Sequence, residues 1–460
     1  MVPEKHSFAL RLSWQSTVRR AVAWCGLWAC ASAWAWSQHA LGTWQSLQSM
    51  PELQGAPPAK VESLASFLRA QGPALEAVLS QQEQGSRERL PNYPARPEVL
   101  AYRFDPALDD AALRQRFLHA LRVNPQIPLP LFLQLPPGQT ASTRPDLPAS
   151  AVSTLSRDNG LEGTRFVSLS VGEWVPALDV IATAADEPDY GLDLGLWEDN
   201  GTEHGRRYGF GRQPFGNPAL AFSSQAPFHM GFFHESPVVY AAAGFLRRTY
   251  PEYRVHLWQT LARHAMKTGH DYWAWRFAGW ALHYVQDLTQ PYHARVLPGV
   301  SVVRMLGIQG LDLLGVSGPK NNAVTLVSNR HLALENYQRH AMLTPWREGQ
   351  FDHPMLKVYA TDAQDMARLP WTEMSLRHSV AKEAESLADD IDAVLAQSLP
   401  AQYVSDPTFD FGASSAPVNL FALVTQQSPA AAQALSQRLN RLFINFGAHS
   451  RAWVRHLYRP

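Results

Sequence analysis

Cysteine is almost missing from this chain: of 460 residues only Cys25 and Cys30 are cysteines, both near the amino terminus. If the segment that holds them is removed, disulfide scaffolds and thiol catalysis are excluded with it. An excess of charge of either sign is missing too, with 40 Lys plus Arg against 40 Asp plus Glu. No global basic field therefore draws nucleic acid or an anionic membrane towards the protein, and a preference for anions has to come from a local site. Past the first segment no uncharged run is also continuously apolar over about 20 residues, the length that a membrane-spanning helix needs. Charged residues are only 17% of the chain and hydrophobic ones 46%, which excludes a disordered chain and leaves enough apolar material for one large core or two small ones.

What is there begins with a leader. Lys5, Arg11, Arg19 and Arg20 precede an uncharged stretch from Ala21 to Ala35 that ends in Ala33-Trp34-Ala35. A basic segment, a short apolar run and an A-x-A end are the marks of a secretory signal peptide. Residues 1–35 are therefore expected to be removed, which predicts an exported, periplasmic or secreted, cysteine-free chain that begins at Trp36. A retained anchor and a lipoprotein that keeps Cys30 are the alternatives, although Trp28 stands where a lipoprotein signal needs a small residue.

Along the mature chain, Pro57 to Leu79 predicts a helical hairpin broken at Gly72-Pro73, followed by a polar patch from Gln81 to Arg96. Prolines 125, 128, 130, 136, 137, 145 and 148 rule out a regular helix between Val123 and Pro148 and predict an irregular surface insertion. Helical periodicity resumes at Gly172 to Ala185, and a polar, Gly-rich loop runs from Glu187 to Pro227. Arg254 to Lys267 predicts a helix closed by Gly269, and Asp271 is expected to cap a second one that stops near Leu288, before Pro291. The two would form an antiparallel pair. Leu376, Val380, Leu387 and Ile391 line one later amphipathic helix, and Leu435, Leu439, Leu442, Phe446, Trp453 and Leu457 line another. With no internal repeat and no period-two run long enough for a sheet, the expected fold class is all-α.

The chemistry gathers in the segment WALHYVQDLTQPYHA, where His283 and Asp287 are four residues apart and project from one helix face. Such a pair proves little by itself, because i,i+4 pairs arise by chance and also stabilise exposed helices. Here Trp273, Phe277 and Trp280 surround it, and Pro291 turns the chain so that His293 returns towards the same point. A second i,i+4 pair, His331 and Glu335, follows on a segment that reads as helical from Asn329. Imidazole nitrogen with carboxylate oxygen suits zinc, and suits copper, nickel or iron less well.

The order H-x3-D-x5-H followed by H-x3-E, and the stretch QDLTQPYHA above all, resembles the zinc-dependent phospholipase C family, which shares its helical fold with the fungal single-strand nucleases. The resemblance implies one multi-helix domain over 36–460 with two divergent insertions, a Pro-rich one at about 48–164 and a second at about 297–328. It also implies a mature chain whose terminal tryptophan binds zinc through its free amine and carbonyl, and cleavage after Ala35 delivers Trp36 to that place. His39 is the histidine that follows. The Pro-Asp-Tyr context at Glu187-Pro188-Asp189-Tyr190 implies Asp189 as a ligand and Tyr190 as a residue lining a headgroup pocket. For the remaining ligand His229, His234 and His204 compete, with His229 first because its distance ahead of His283 is family-like. The implied grouping is Asp189, His229, His283 and Asp287 on one zinc, His293, His331 and Glu335 on a second, and Trp36 with His39 on a third that shares Asp287. Asp189 and Asp287 would carry the catalysis. Three zinc ions would bring six positive charges against three carboxylates, giving a protein of no net charge a local anion site.

Three functions follow as expectations. The first is phospholipase C action on glycerophospholipids, favoured by the cysteine-free mature chain and the Pro-Asp-Tyr context over the nuclease branch, whose eukaryotic members carry disulfides. The second is a secreted single-strand nuclease or nucleotidase, for which 15 Trp and 14 Tyr offer stacking surfaces. The third is a non-catalytic binding protein that uses zinc only to fold. The expected partner is a phospholipid or other phosphodiester substrate, with no stable nucleic-acid complex. The apolar segment Val302 to Val316 predicts either a transient membrane-surface contact or a buried insertion.

Overall fold

The computed structural model describes residues 36–139, 142–155, 161, 163–216, 221–414 and 417–458. The leader, with Cys25, Cys30 and the cleavage site, lies outside the described residues. The longer helices are α1 (His39–Leu47), α2 (Leu64–Arg89), α3 (Asp110–Leu121), α4 (Ala177–Asp186), α5 (Pro251–Lys267), α6 (Asp271–Asp287), α7 (Val302–Leu313), α8 (Gly318–Arg347), α9 (Lys382–Ser398), α10 (Leu420–Gln427) and α11 (Pro429–Leu457). Strands are short and marginal. β1 (Ala59–Lys60) pairs antiparallel with β5 (Trp174–Val175), and β2 (Phe132–Gln134), β4 (Phe166–Ser168) and β3 (Asp146–Leu147) form a three-stranded patch in that order. The protein is all-α, as its periodicity predicts.

The centre of the molecule is α6. Every residue from Tyr272 to Asp287 is buried, so the helix is enclosed on all sides and carries no solvent stripe. Gly269, at φ +76, ends α5 in the left-handed conformation and lets the chain turn back into α6. Trp258 of α5 stacks on Phe277 at 6.1 Å and meets Trp280 edge-on at 4.8 Å. Aromatic pairs of this kind contribute about 0.5–1.5 kcal/mol each beyond the area they bury. On its other side α6 packs against α4, at a crossing made close by Gly279: a Cβ there would stand 2.4 Å from Ala184 Cβ and 2.7 Å from the Ile181 carbonyl.

Three local expectations are corrected. Gly72-Pro73 does not break a hairpin, because α2 runs unbroken through Pro73 and on through the polar patch to Arg89. Proline forfeits one helical hydrogen bond, but Phe67, Leu68, Leu75 and Leu79 hold one continuous face in the core, and the Phe104 ring fills the space above Gly72. The proline-rich stretch is no surface insertion either, since Val123, Ile127, Phe132 and Leu133 are buried in the same core as α5 and α6. Asp271 opens α6 without capping it. The N-cap is His270, whose Nδ1 lies 2.8 Å from Glu62 Oε1, and Asp271 contributes only its charge at the helix start.

Candidate metal centre

Four pieces of chain meet at the end of α6. The α4–α6 crossing leaves the Ala185 carbonyl, at the end of α4, 2.7 Å from His283 Nδ1. The turn that follows, Glu187–Tyr190, is held by Arg276 of α6, which donates to both Glu187 oxygens at 2.8 and 2.7 Å. Asp189 thereby faces His283. The turns Ala226–His229 and Pro291–Ala294 are locked to each other by their backbones: Gly231 N–H donates to the His293 carbonyl at 2.8 Å, and His293 Nδ1 lies 2.9 Å from the His229 carbonyl. Finally α1 lays His39 beside Asp287.

Three groups of ligand-type side chains result: His39, His283 and Asp287; Asp189, His229 and His283; and His293, His331 and Glu335. Within each group the ligand atoms lie within 4.8 Å of one another, a geometry compatible with metal coordination. Asp287 divides its oxygens. Oδ1 is 3.3 Å from His39 Nε2, whereas Oδ2 is 2.8 Å from His229 Nδ1 and 3.2 Å from His283 Nε2. Asp189 Oδ1 closes the second group at 3.6 Å from His283 Nε2 and 3.9 Å from His229 Nδ1. In the third, His331 Nε2 lies 2.7 Å from Glu335 Oε1 and 3.2 Å from His293 Nε2.

The electrostatics call for a cation. Burial pushes the Glu335 carboxyl well above the carboxylate range, and the nearby Asp189 and Asp287 push it further, opposed only by the Gln290 amide. Burial likewise raises Asp189, to about 7, against the pull of His229 and His39. Burial also disfavours charge on Asp287 and on His229, but here the partners win: His283, His229 and His39 hold Asp287 well below its usual value, and Asp193 and Asp287 hold His229 up at about 10. Three carboxylates packed among histidines thus need compensating positive charge at this point. Glu335 Oε2 is buried without a hydrogen-bond partner, and His39 Nε2 and Asp287 Oδ1, equally buried, have only each other at 3.3 Å. Orphaned polar atoms that converge on shared space are what a metal ion satisfies, so the residues fit one.

The opposite ring nitrogens are committed elsewhere, which fixes which nitrogen faces the centre. His39 Nδ1 lies 2.7 Å from Gln286 Oε1, and Gln286 in turn donates to Thr43 at 2.7 Å and Ser450 at 3.2 Å. His229 Nε2 faces Asp193 Oδ2 at 3.3 Å, and Asp193 is held by Arg254 at 2.6 Å and by the Tyr284 hydroxyl at 2.6 Å. Sequence reasoning singles out neither Asp193 nor Gln286. Their positions, four residues after Asp189 and one before Asp287, are the only hints in the chain itself.

Of the three competing histidines, His229 joins the ligand groups. His204 Nε2 points at the Leu194 carbonyl at 3.3 Å, and His234 Nε2 at the Arg377 carbonyl at 2.8 Å. Trp36 is buried, with its indole donating to Thr289 Oγ1 at 2.9 Å, and Thr289 follows Asp287 by two residues. The expectation for Tyr190 is corrected. Its ring packs edge-on against Phe166, its hydroxyl donates to Gln134, and 4% exposure leaves it no surface to offer a headgroup.

No protein-family model matches the chain, and no curated protein or solved structure matches it either.

Proposed function

We propose that this chain is an exported zinc-dependent phosphodiesterase, with glycerophospholipids as its substrates and phospholipase C cleavage as its reaction. The observation that carries the reading is the division of Asp287, whose Oδ1 lies beside His39 of its own ligand group and whose Oδ2 lies beside His229 of the next. When bound, zinc ions at such a centre supply Lewis acidity at phosphoryl oxygen and lower the pKa of water. His39, His229, His283, Asp189 and Asp287 would hold the metals on one side, and His293, His331 and Glu335 on the other. The division also matches the resemblance of the QDLTQPYHA stretch to the zinc-dependent phospholipases C, in which an aspartate is shared. Removal of the leader after Ala35 would add the Trp36 amine as a further ligand.

The chain's own groups then have definite tasks. Asp189, with 16% of its side chain exposed, is open to an arriving substrate, whereas Asp287 is wholly enclosed and can only bind. The Ala185 and His229 carbonyls accept from His283 and His293, so both imidazoles present their Nε2 lone pairs inward. Beside His331 lies a small apolar cavity of about 30 Å³ lined by Phe215, Met230, Phe232, Leu246 and Val296, which makes that side of the centre apolar. Among the described residues the rings most open to solvent, Trp174, Phe351 and Tyr458, lie outside the stretches that carry ligands, which favours lipid over a stacked single strand.

Turnover of a phosphatidylcholine analogue and of single-stranded DNA, each with and without chelator, tests the proposal. Zinc-restorable turnover of the lipid supports it. Turnover of DNA alone makes the protein a nuclease, and bound zinc with no turnover of either makes it a zinc-stabilised binding protein. Less than one metal per purified chain removes the enzyme reading altogether.

A further inference from the structure

α7 carries an apolar stripe on its outward face. It joins the His293 turn to α8, the helix of His331 and Glu335, and none of its residues is buried. Val303, Leu313 and Leu314 are 79%, 67% and 81% exposed, with Leu306 and Val316 also open to solvent. The face turned towards the protein holds Val302, Met305 and Ile308 together with Gln309 and Asp312, and Asp312 is tied to Lys320 at 2.7 Å and to the Ser317 hydroxyl at 2.6 Å. A surface helix ordinarily turns polar residues to solvent opposite its apolar face, whereas α7 carries apolar side chains on both. Several aliphatic side chains on one outward stripe mark a contact surface, where a single exposed leucine would mark nothing.

Charge and length say what covers it. Within the 301–318 stretch the sole carboxylate is the paired Asp312, and the exposed charge is Arg304. The neighbouring stretch 237–248 has no carboxylate at all, and its exposed charge is Arg247. Aliphatic side chains flanked by arginine suit a surface of phosphate headgroups over hydrocarbon, and the exposed carboxylate at the foot of α7, Asp389, is engaged by Arg295 and the Gly299 N–H. At 12 residues α7 is about 18 Å long, too short to cross a hydrocarbon layer of about 30 Å, so it can only lie in the interface. The stripe also continues inward. Val302 and Met305 pack on the cluster of Phe215, Met230 and Phe232, and those same residues line the cavity that reaches His331.

We infer that α7 is an interfacial helix that seats the protein on a phospholipid surface and brings the apolar cavity beside His331 up to the lipid. The inference concerns binding and holds whether or not the metal centre turns over phosphodiesters. Its test is co-sedimentation of the full mature protein with vesicles of phosphatidylcholine, and of phosphatidylcholine mixed with phosphatidylglycerol, using chelated protein so that no lipid is consumed. Wild type binds, and the triple variant Leu306→Asp, Leu313→Asp, Leu314→Asp loses about tenfold or more of that binding, with its unfolding temperature, and its zinc content before chelation, unchanged because the three side chains face solvent. In a second variant, Val303→Trp, emission shifts to the blue when vesicles are added. Wild type that stays unbound to both vesicle types overturns the inference, and so does an unshifted Val303→Trp. A wild-type dimer that the triple variant converts to monomer overturns it as well, by giving the stripe to a second copy of the chain.

Discussion

Gly279 of α6 rests directly on Ala184 of α4, so close that a Cβ at position 279 would lie 2.4 Å from the Ala184 Cβ. This contact sets the distance from the Asp189 turn to His283, because Asp189 follows the end of α4 by three residues. Gly279→Val pushes against the Ile181 carbonyl, which cannot rotate away, and is expected to cost about 1–3 kcal/mol of stability. It should also lower the metal content of the Asp189 group while His293, His331 and Glu335 keep theirs. Thermal unfolding and metal analysis read both effects, and a variant with unaltered metal content would show that the crossing does not position the ligands.

Asp287 touches two ligand groups, so Asp287→Asn should reduce bound metal by more than one ion's worth, as counted by elemental analysis of the purified protein. A loss confined to one ion would mean that His39 holds its metal without the shared carboxylate.

His229→Ala should lower metal content and zinc-dependent turnover, whereas His204→Ala and His234→Ala should leave metal content unaltered, since those two rings are spent on backbone carbonyls. Metal analysis of the three variants side by side decides it.

Metal-free protein holds extra protons at this centre, which fixes its pH dependence. Asp189 is raised from 3.8 to about 7 and His229 from 6.5 to about 10, so folding takes up protons at both. The stability linked to Asp189 is complete below pH 3.8 and lost as pH rises to about 7; that linked to His229 is complete below 6.5 and lost as pH rises to about 10. Chelated protein should therefore lose stability across these windows. Zinc must displace the same protons, so its affinity should climb with pH, more steeply below pH 7 than above. Calorimetry of zinc binding in buffers of different ionisation enthalpy measures the protons released. Release of none at pH 6 would contradict the charge state described.

Asp193 and Arg254 are both fully buried, 2.6 Å apart. Asp193→Asn leaves the guanidinium unpaired and takes the carboxylate from His229, at an expected cost of about 3–5 kcal/mol. The exposed pair Arg438 and Asp390 is the contrast: Asp390→Asn should cost about 0–1 kcal/mol. Denaturant unfolding of both variants compares them.

The sequence by itself determined whatever a single helix period can carry. His283 with Asp287 and His331 with Glu335 lie one turn apart on their helices, so each pair faces one way in any fold that keeps the helix. The apolar spacing of α11 and the glycine stop after α5 are local in the same sense. Tertiary structure decided what depends on pieces distant in the chain. His229 enters the centre in preference to His204 or His234 because its turn is bonded to the His293 turn, 64 residues on, and no local signal records that bond. Asp193 and Gln286 become partners of ligand histidines only once α1, α5 and α6 are packed together. Pro73 stays inside a helix because a core face on either side outweighs one lost hydrogen bond. The outward turn of α7 was equally out of reach: its leucines read the same whether they face a core or a membrane, and the neighbours that decide between the two belong to the fold.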